Sequence, residues 1–297
     1  FSILLQRLKR GRTEQSMIMT GLRGVGKTVL LNRFAELAEL AGWESIELEA
    51  SKHDETAFRQ SIFSKFRAAL LHISPRRRWS ERARHAAEVL SSFVLSIDQS
   101  GTFSVTWDVD PSEGYGDHGD LGLDLTDVFL AVGDVAKEKE TGIVLLIDEV
   151  QFLTTVQLES LIQAVHKSVQ KKLPITFVGA GLPQIAELAG DAKSYAERLF
   201  KFPRIDSLAP EEARQALVGP AETENVSYDE DAVDLAVSLT HGYPYFIQEL
   251  GYQAWIVASG NHITAEDIST AKEAYEAKLD GSFFRVRLDR ATPLQTA

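Results

Sequence analysis

Apolar positions change their spacing along the chain, and each change marks an element. "FSILLQRLKRG" sets Ile3, Leu4, Leu5 and Leu8 at helical spacing and stops on Gly11, which predicts the last part of a helix. "SMIMT" (16–20) reads as a short buried strand. From Lys27 onward Val29, Leu30, Leu31, Phe34, Leu37 and Leu40 recur with helical period, predicting one apolar helix face that Gly42 ends. "WESIELEA" (43–50) then predicts a second strand. Strand, glycine-rich loop, helix, strand is the opening of a parallel α/β unit.

Two helices are expected next, over 55–73 and 81–91. After them Phe93, Leu95 and Ile97 alternate with polar residues and are answered by Phe103, Val105 and Trp107 across "DQSG", which predicts a hairpin insertion over about 93–108. Residues 108–122 form an acidic loop that fails as a calcium loop, because its glycine falls one place late and Gly119 stands where the closing glutamate belongs. A helix over 124–139 leads to "GIVLLIDEVQFL", where the unbroken run Ile143–Ile147 predicts a strand buried on both faces. A helix carrying Val156, Leu158, Leu161, Ile162, Val165 and Val169 follows, then the strand "PITFVGAG". From about Leu208 the pattern is helical throughout. The expected fold class is α/β, a parallel sheet with helices on both faces, followed by a small all-α domain. The expected boundaries are 1–206 for the α/β core, 207–282 for the helical domain and 283–297 for a tail leading toward a further domain.

At 297 residues and 44% hydrophobic content, the chain can bury one sizeable core with a smaller companion. No apolar run approaches the roughly 18 residues of a membrane span, and a cytoplasmic setting is the default expectation. The absence of cysteine excludes disulfides, zinc-thiolate sites and thiol nucleophiles. A net charge of −12 argues against general attraction to nucleic acid. The dense basic run, Arg76, Arg77 and Arg78 beside Trp79, reads as a solvated connection between helices, with a nucleic-acid or phospho-partner contact as the alternative. The seven histidines show no metal-ligand spacing. Beginning at Phe1 and ending on "ATPLQTA", the chain reads as part of a longer one, with further domains expected beyond it.

One motif changes the picture. Gly21, Gly26, Lys27 and Thr28 fit G-x-x-x-x-G-K-[ST], after a strand and at the start of a helix. Glycines let the backbone curl so that consecutive N–H groups, and the positive end of the helix, face phosphate oxygens. The expected nucleotide contacts are Gly21, Leu22, Arg23, Gly24, Val25, Gly26, Lys27, Thr28 and Val29, with Lys27 on the β and γ phosphates and the Thr28 hydroxyl on magnesium. "IVLLIDE" adds Asp148 for the metal and Glu149 as the base that aims a water. An Asp-Glu pair after an apolar strand also serves as a plain helix-start region; the phosphate loop favours the chemical reading. ATP and Mg2+ are thus the expected ligands.

"GLRGVGKT", "LLIDEVQFL", "FVGAGLP", "SYAERLF" and "GYPYFIQELG" together resemble the AAA+ ATPases, in particular the clade of origin-recognition ATPases, archaeal-type AAA ATPases and STAND proteins. The resemblance implies a P-loop NTPase core with a helical lid domain, acting as a nucleotide-dependent switch that hydrolyses ATP. It implies that Pro244 lies near the adenine and that Arg198 senses a γ-phosphate in a neighbouring subunit or its own, with Arg204 as runner-up. Lys27, Glu149 and Arg198 are the catalytic set so implied. Only Gly179, Ala180 and Gly181 stand where a polar sensor is usual, with Thr176 earlier, and "GYPYFIQELG" carries no lid arginine; slow hydrolysis is the expectation. A homo-oligomer or protein partner is expected, and nucleic acid only through a domain outside this chain. The alternatives are the ATPase core of a DNA-associated initiator or loader, and a P-loop kinase acting on a small molecule.

Overall fold

The computed structural model describes residues 1–50, 54–95, 109–193 and 196–284. Two compact units emerge. One holds Phe1–Leu22 with Lys27–Ile205, and the other holds Arg23–Gly26 with the described part of Asp206–Ala297.

The first unit runs α1 (Ser2–Lys9), β1 (Ser16–Thr20), α2 (Lys27–Leu40), β2 (Glu44–Glu49), α3 (Glu55–Ile73), α4 (Glu81–Leu95), α5 (Leu121–Glu138), β3 (Ile143–Asp148), α6 (Thr155–Gln170), β4 (Ile175–Gly181), α7 (Ile185–Ala192), α8 (Ala196–Leu199) and β5 (Phe200–Lys201). The strands form one parallel sheet in the order β2-β3-β4-β1-β5. Alternation along each strand sends side chains to two cores. Ile18, Leu145, Ile147 and Phe177 join the helices α3 to α7, where Phe66 and Phe129 pack with ring centroids 5.3 Å apart. Met19, Val144, Leu146, Val178 and Ala180 face α1 and α2 on the other side. β3 lies inside the sheet between β2 and β4 and helices cover both of its faces, which is the reason for its unbroken apolar run.

The sequence reading of α2 needs correction. Its buried face is Leu31, Ala35 and Ala38, whereas Val29 is 68% and Leu40 80% exposed. At about 100° per residue, both lie close to half a turn around the axis from Leu31, so they cannot share its stripe. The predicted hairpin also yields in its first half. Phe93 and Leu95 belong to α4, where Ala86, Val89, Leu90 and Phe93 repeat at helical spacing and are buried. A short alternation overlapped a longer helical period, and burial chose the helix. The remainder of that hairpin, 96–108, lies outside the described residues.

One buried ion pair was invisible in the pattern. Arg59 of α3 (1% exposed) meets Asp124 of α5 (0%) at 2.9 Å and lies over the Phe93 ring, 4.8 Å from its centroid. The other Asp124 oxygen accepts from the His118 N–H at 2.7 Å, which pins the acidic loop to α5.

The second unit contains α9 (Pro210–Thr223), β6 (Ser227–Tyr228), α10 (Glu230–Thr240), α11 (Pro244–Val257), β7 (His262–Ile263) and α12 (Ala265–Lys278). It is helical with one exception to the all-α expectation, a two-residue parallel ladder between β6 and β7. Its core gathers Leu217, Val233, Ile247, Leu250, Ile268 and Tyr275. Gly242 is required where α10 turns into α11. Its φ is +70°, and a Cβ there would collide with the Leu208 carbonyl oxygen.

Candidate functional site

The C-terminal ends of β1 and β3 carry the chemistry, as in α/β sheets generally. β1 ends at Thr20, the chain turns through the glycine loop, and α2 begins at Lys27. Gly24 and Gly26 adopt φ of +84° and +90°, which residues with a Cβ rarely reach. The Lys27 ammonium is buried and donates to the Gly21 and Leu22 carbonyls at 2.9 and 2.8 Å, so the loop holds its own cation at its mouth. Thr28, one residue into α2, donates its hydroxyl hydrogen bond to Asp148 Oδ2 at 2.5 Å. Lys27, Thr28, Asp148 and Glu149 are thereby brought to one edge of the sheet. An open cavity of about 340 Å³ adjoins them, lined by Thr28, Asp148, Glu149 and the acidic Glu47 and Glu49.

Glu149 is unusual in its backbone. It sits in the left-handed region, φ 52° and ψ 38°, at a cost of roughly 1–2 kcal/mol for a residue with a side chain. Its N–H donates to Asp148 Oδ1 at 2.7 Å and its carbonyl accepts from the Phe152 N–H, closing a tight turn over Val150–Phe152. The Glu149 carboxylate accepts from the side-chain amide of Gln151, whose oxygen in turn accepts from the Leu182 N–H at 3.1 Å. Gln151 was missed in the sequence. Its signal was there to read, as a lone amide two residues beyond the acidic pair, matched with a strand end of glycine and alanine that offers no polar side chain.

Thr176 is not at this edge. It is 1% exposed and its hydroxyl bonds to Ser16 Oγ at 2.9 Å, linking β4 to β1 near their starts. Arg198 is also elsewhere. It is exposed on α8, and its carbonyl accepts from the Gln15 side chain just before β1, whereas Gly21 follows the far end of that strand. Five strand residues separate the two ends by roughly 16 Å, so Arg198 does not approach its own loop. Arg204 pairs by its backbone with Thr20, immediately before Gly21.

In the second unit, the loop tip Arg23–Gly26 is bound to the start of α11: the Tyr243 hydroxyl donates to the Arg23 carbonyl, and the Tyr245 N–H donates to the Gly24 carbonyl at 3.1 Å. Pro244, the first residue of α11, lies between these donors and has no N–H of its own to place.

A buried ammonium, a hydroxyl and two carboxylates at a helix start suit a polyphosphate with a hard divalent cation. No group of three or more acidic or histidine side chains able to hold a metal occurs among the described residues. Magnesium does not require one, since it is bound through one or two protein oxygens together with substrate phosphates and water.

The sequence model of the AAA ATPase domain matches residues 1–178, more than half of the chain. The chain belongs to the AAA ATPase domain family. Its fold has counterparts among solved structures. The Thermotoga maritima RuvB Holliday junction branch migration motor aligns with TM-score 0.54 and 15% identity, over 92% of this chain and 66% of that one. Cdc6p from Pyrobaculum aerophilum aligns at 0.53 and 15%, over 92% and 65%, and a Walker-type ATPase of Pyrococcus abyssi at 0.52 and 16%, over 92% and 71%. This AAA ATPase domain chain spans about two thirds of the length of the first two, and identities this low establish a shared fold alone. No curated protein matches the chain. No helix among the described residues is long and apolar enough to cross a membrane.

Proposed function

We propose that this AAA ATPase domain binds magnesium ATP on its phosphate loop, hydrolyses it slowly to ADP and phosphate, and uses the bound nucleotide to switch conformation. The observation that carries the reading is the meeting of Lys27, Thr28, Asp148 and Glu149 at one sheet edge. Lys27 binds the β and γ phosphates by exchanging its loop carbonyl partners for phosphate oxygens. Thr28 and Asp148 hold the magnesium, which supplies charge neutralisation on the phosphates when bound. The residues fit that ion, because the hydroxyl and carboxylate already converge at 2.5 Å.

Glu149 accepts a proton from the attacking water as its oxygen adds to the γ-phosphorus. The bond from that phosphorus to the β–γ bridging oxygen breaks, leaving ADP and phosphate. Switching is supported by the loop tip, since the Arg23 and Gly24 carbonyls are held by Tyr243 and Tyr245 at the start of α11. A nucleotide that engages the same loop biases those bonds. Pro244, flanked by both donors, is the residue proposed to border the adenine. A cytoplasmic setting and a protein partner or self-association belong to the same proposal.

The test is ATP binding and magnesium-dependent phosphate release by the unaltered chain and Lys27→Ala. Tight binding and slow turnover, both lost in the variant, are expected; equal binding by the variant sinks the reading.

A further inference from the structure

A general base must present one lone pair to one water, and a half-exposed glutamate on its own samples several side-chain rotamers. At the end of β3 the chain supplies a second constraint beyond backbone geometry. We infer that Gln151 is the positioning residue for Glu149, spanning the ends of β3 and β4 so that the base keeps one carboxylate oxygen engaged and presents the other. This rests on the reading of Glu149 as the base in the proposed function.

The bonding pattern decides which way the amide faces. Leu182 offers an N–H, which can only donate, so the Gln151 oxygen must face it and the NH₂ must face Glu149. Both ends of the amide are used, and neither can rotate without losing a bond. Glu149 Oε2 is the engaged oxygen, which leaves Oε1 for the proton of the water.

Gly181 makes this possible. A Cβ at that position would lie 2.8 Å from the Gln151 oxygen and 2.8 Å from Val150 Cγ2, so any side chain on the last residue of β4 would push the amide away. The glycine and alanine end of β4 therefore has a reason of its own. The polar group missing from β4 arrives from the turn after β3, and space is kept for it. Because Leu182 follows β4 directly, the bridge also makes the base's orientation depend on the spacing of two neighbouring strand ends.

A plain bracing role would use the same two bonds, and the test separates the two roles. Single-turnover ATP cleavage and ATP affinity would be measured for the unaltered chain, Gln151→Ala and Gln151→Asn, each also in the Glu149→Gln background. Asparagine keeps the amide but is one methylene too short to span both partners. We expect either change to slow cleavage by about tenfold or more while ATP affinity stays within about twofold, since only orientation at the reacting centre is lost. In the Glu149→Gln background, adding Gln151→Ala should change the residual rate by less than about twofold, because no base remains to be positioned. An unchanged cleavage rate in both Gln151 variants, an equal loss in both backgrounds, or a loss confined to ATP affinity overturns the inference and leaves the base reading standing. Full activity in Glu149→Gln alone, or no cleavage by the unaltered chain, overturns the base reading itself and this inference with it.

Discussion

Thr28 donates to Asp148 at 2.5 Å, tying the first turn of α2 to the last residue of β3 across 120 positions of sequence. On the proposed function, this hydroxyl and carboxylate are the two oxygens that would hold the magnesium. Thr28→Val keeps the shape and removes the oxygen. ATP hydrolysis by that variant should need about tenfold more magnesium for half-maximal rate, read from a magnesium titration.

Glu149→Gln preserves size and removes the proposed base. Nucleotide affinity should hold within about threefold while turnover drops by about 10² or more, measured by binding titration beside phosphate release. Retained turnover would remove Glu149 from its role.

Arg198 lies away from its own loop, at the opposite end of β1. If it completes the site of a neighbouring copy, specific activity should rise with protein concentration, and Arg198→Ala should lower the rate by about 10³ or more without loss of ATP binding. Mixing Arg198→Ala with Lys27→Ala should then restore activity, because each variant supplies what the other lacks. A mixture no more active than its parts assigns Arg198 to the surface.

Asp124 is fully buried against Arg59. Asp124→Ala removes from that buried guanidinium its buried carboxylate partner, the half-exposed Glu55 being the other acidic group described beside it, and should lower unfolding free energy by about 3–5 kcal/mol in urea titrations. Loss below 1 kcal/mol would mean that water reaches Arg59.

His118 anchors the acidic loop through Asp127, which accepts from it at 2.9 Å and holds the imidazole above its ordinary value of about 6.5. A raised folded value means that the imidazolium is favoured by folding. Its contribution is therefore complete below about pH 6.5 and fades as pH climbs through the folded value. The melting temperature of the unaltered chain should exceed that of His118→Ala at pH 5.5 by more than it does at pH 8.5. Equal differences at the two pH values would show that the pair is inert.

What the sequence by itself determined was whatever a single window contains. The eight residues from Gly21 to Thr28 dictate a phosphate loop because glycine conformations, a lysine and a helix start are all local properties. The run Ile143–Ile147 likewise announced a strand buried on both faces, since only a strand covered on both sides tolerates no polar position. Tertiary structure decided the rest. Phe93 and Leu95 fitted two periods, and the choice fell to a core built from α3, α5 and α6. Val29 and Leu40 looked like core and face outward, because only one side of α2 meets the sheet. In the strand order β2-β3-β4-β1-β5, both pairings of β1 join residues more than 150 positions apart, such as Met17 with Val178. Gln151 acquires its place only because Gly181, thirty residues later, leaves room beside it. Contacts of that range depend on which surfaces exclude water together, a property of the folded chain that no short stretch carries.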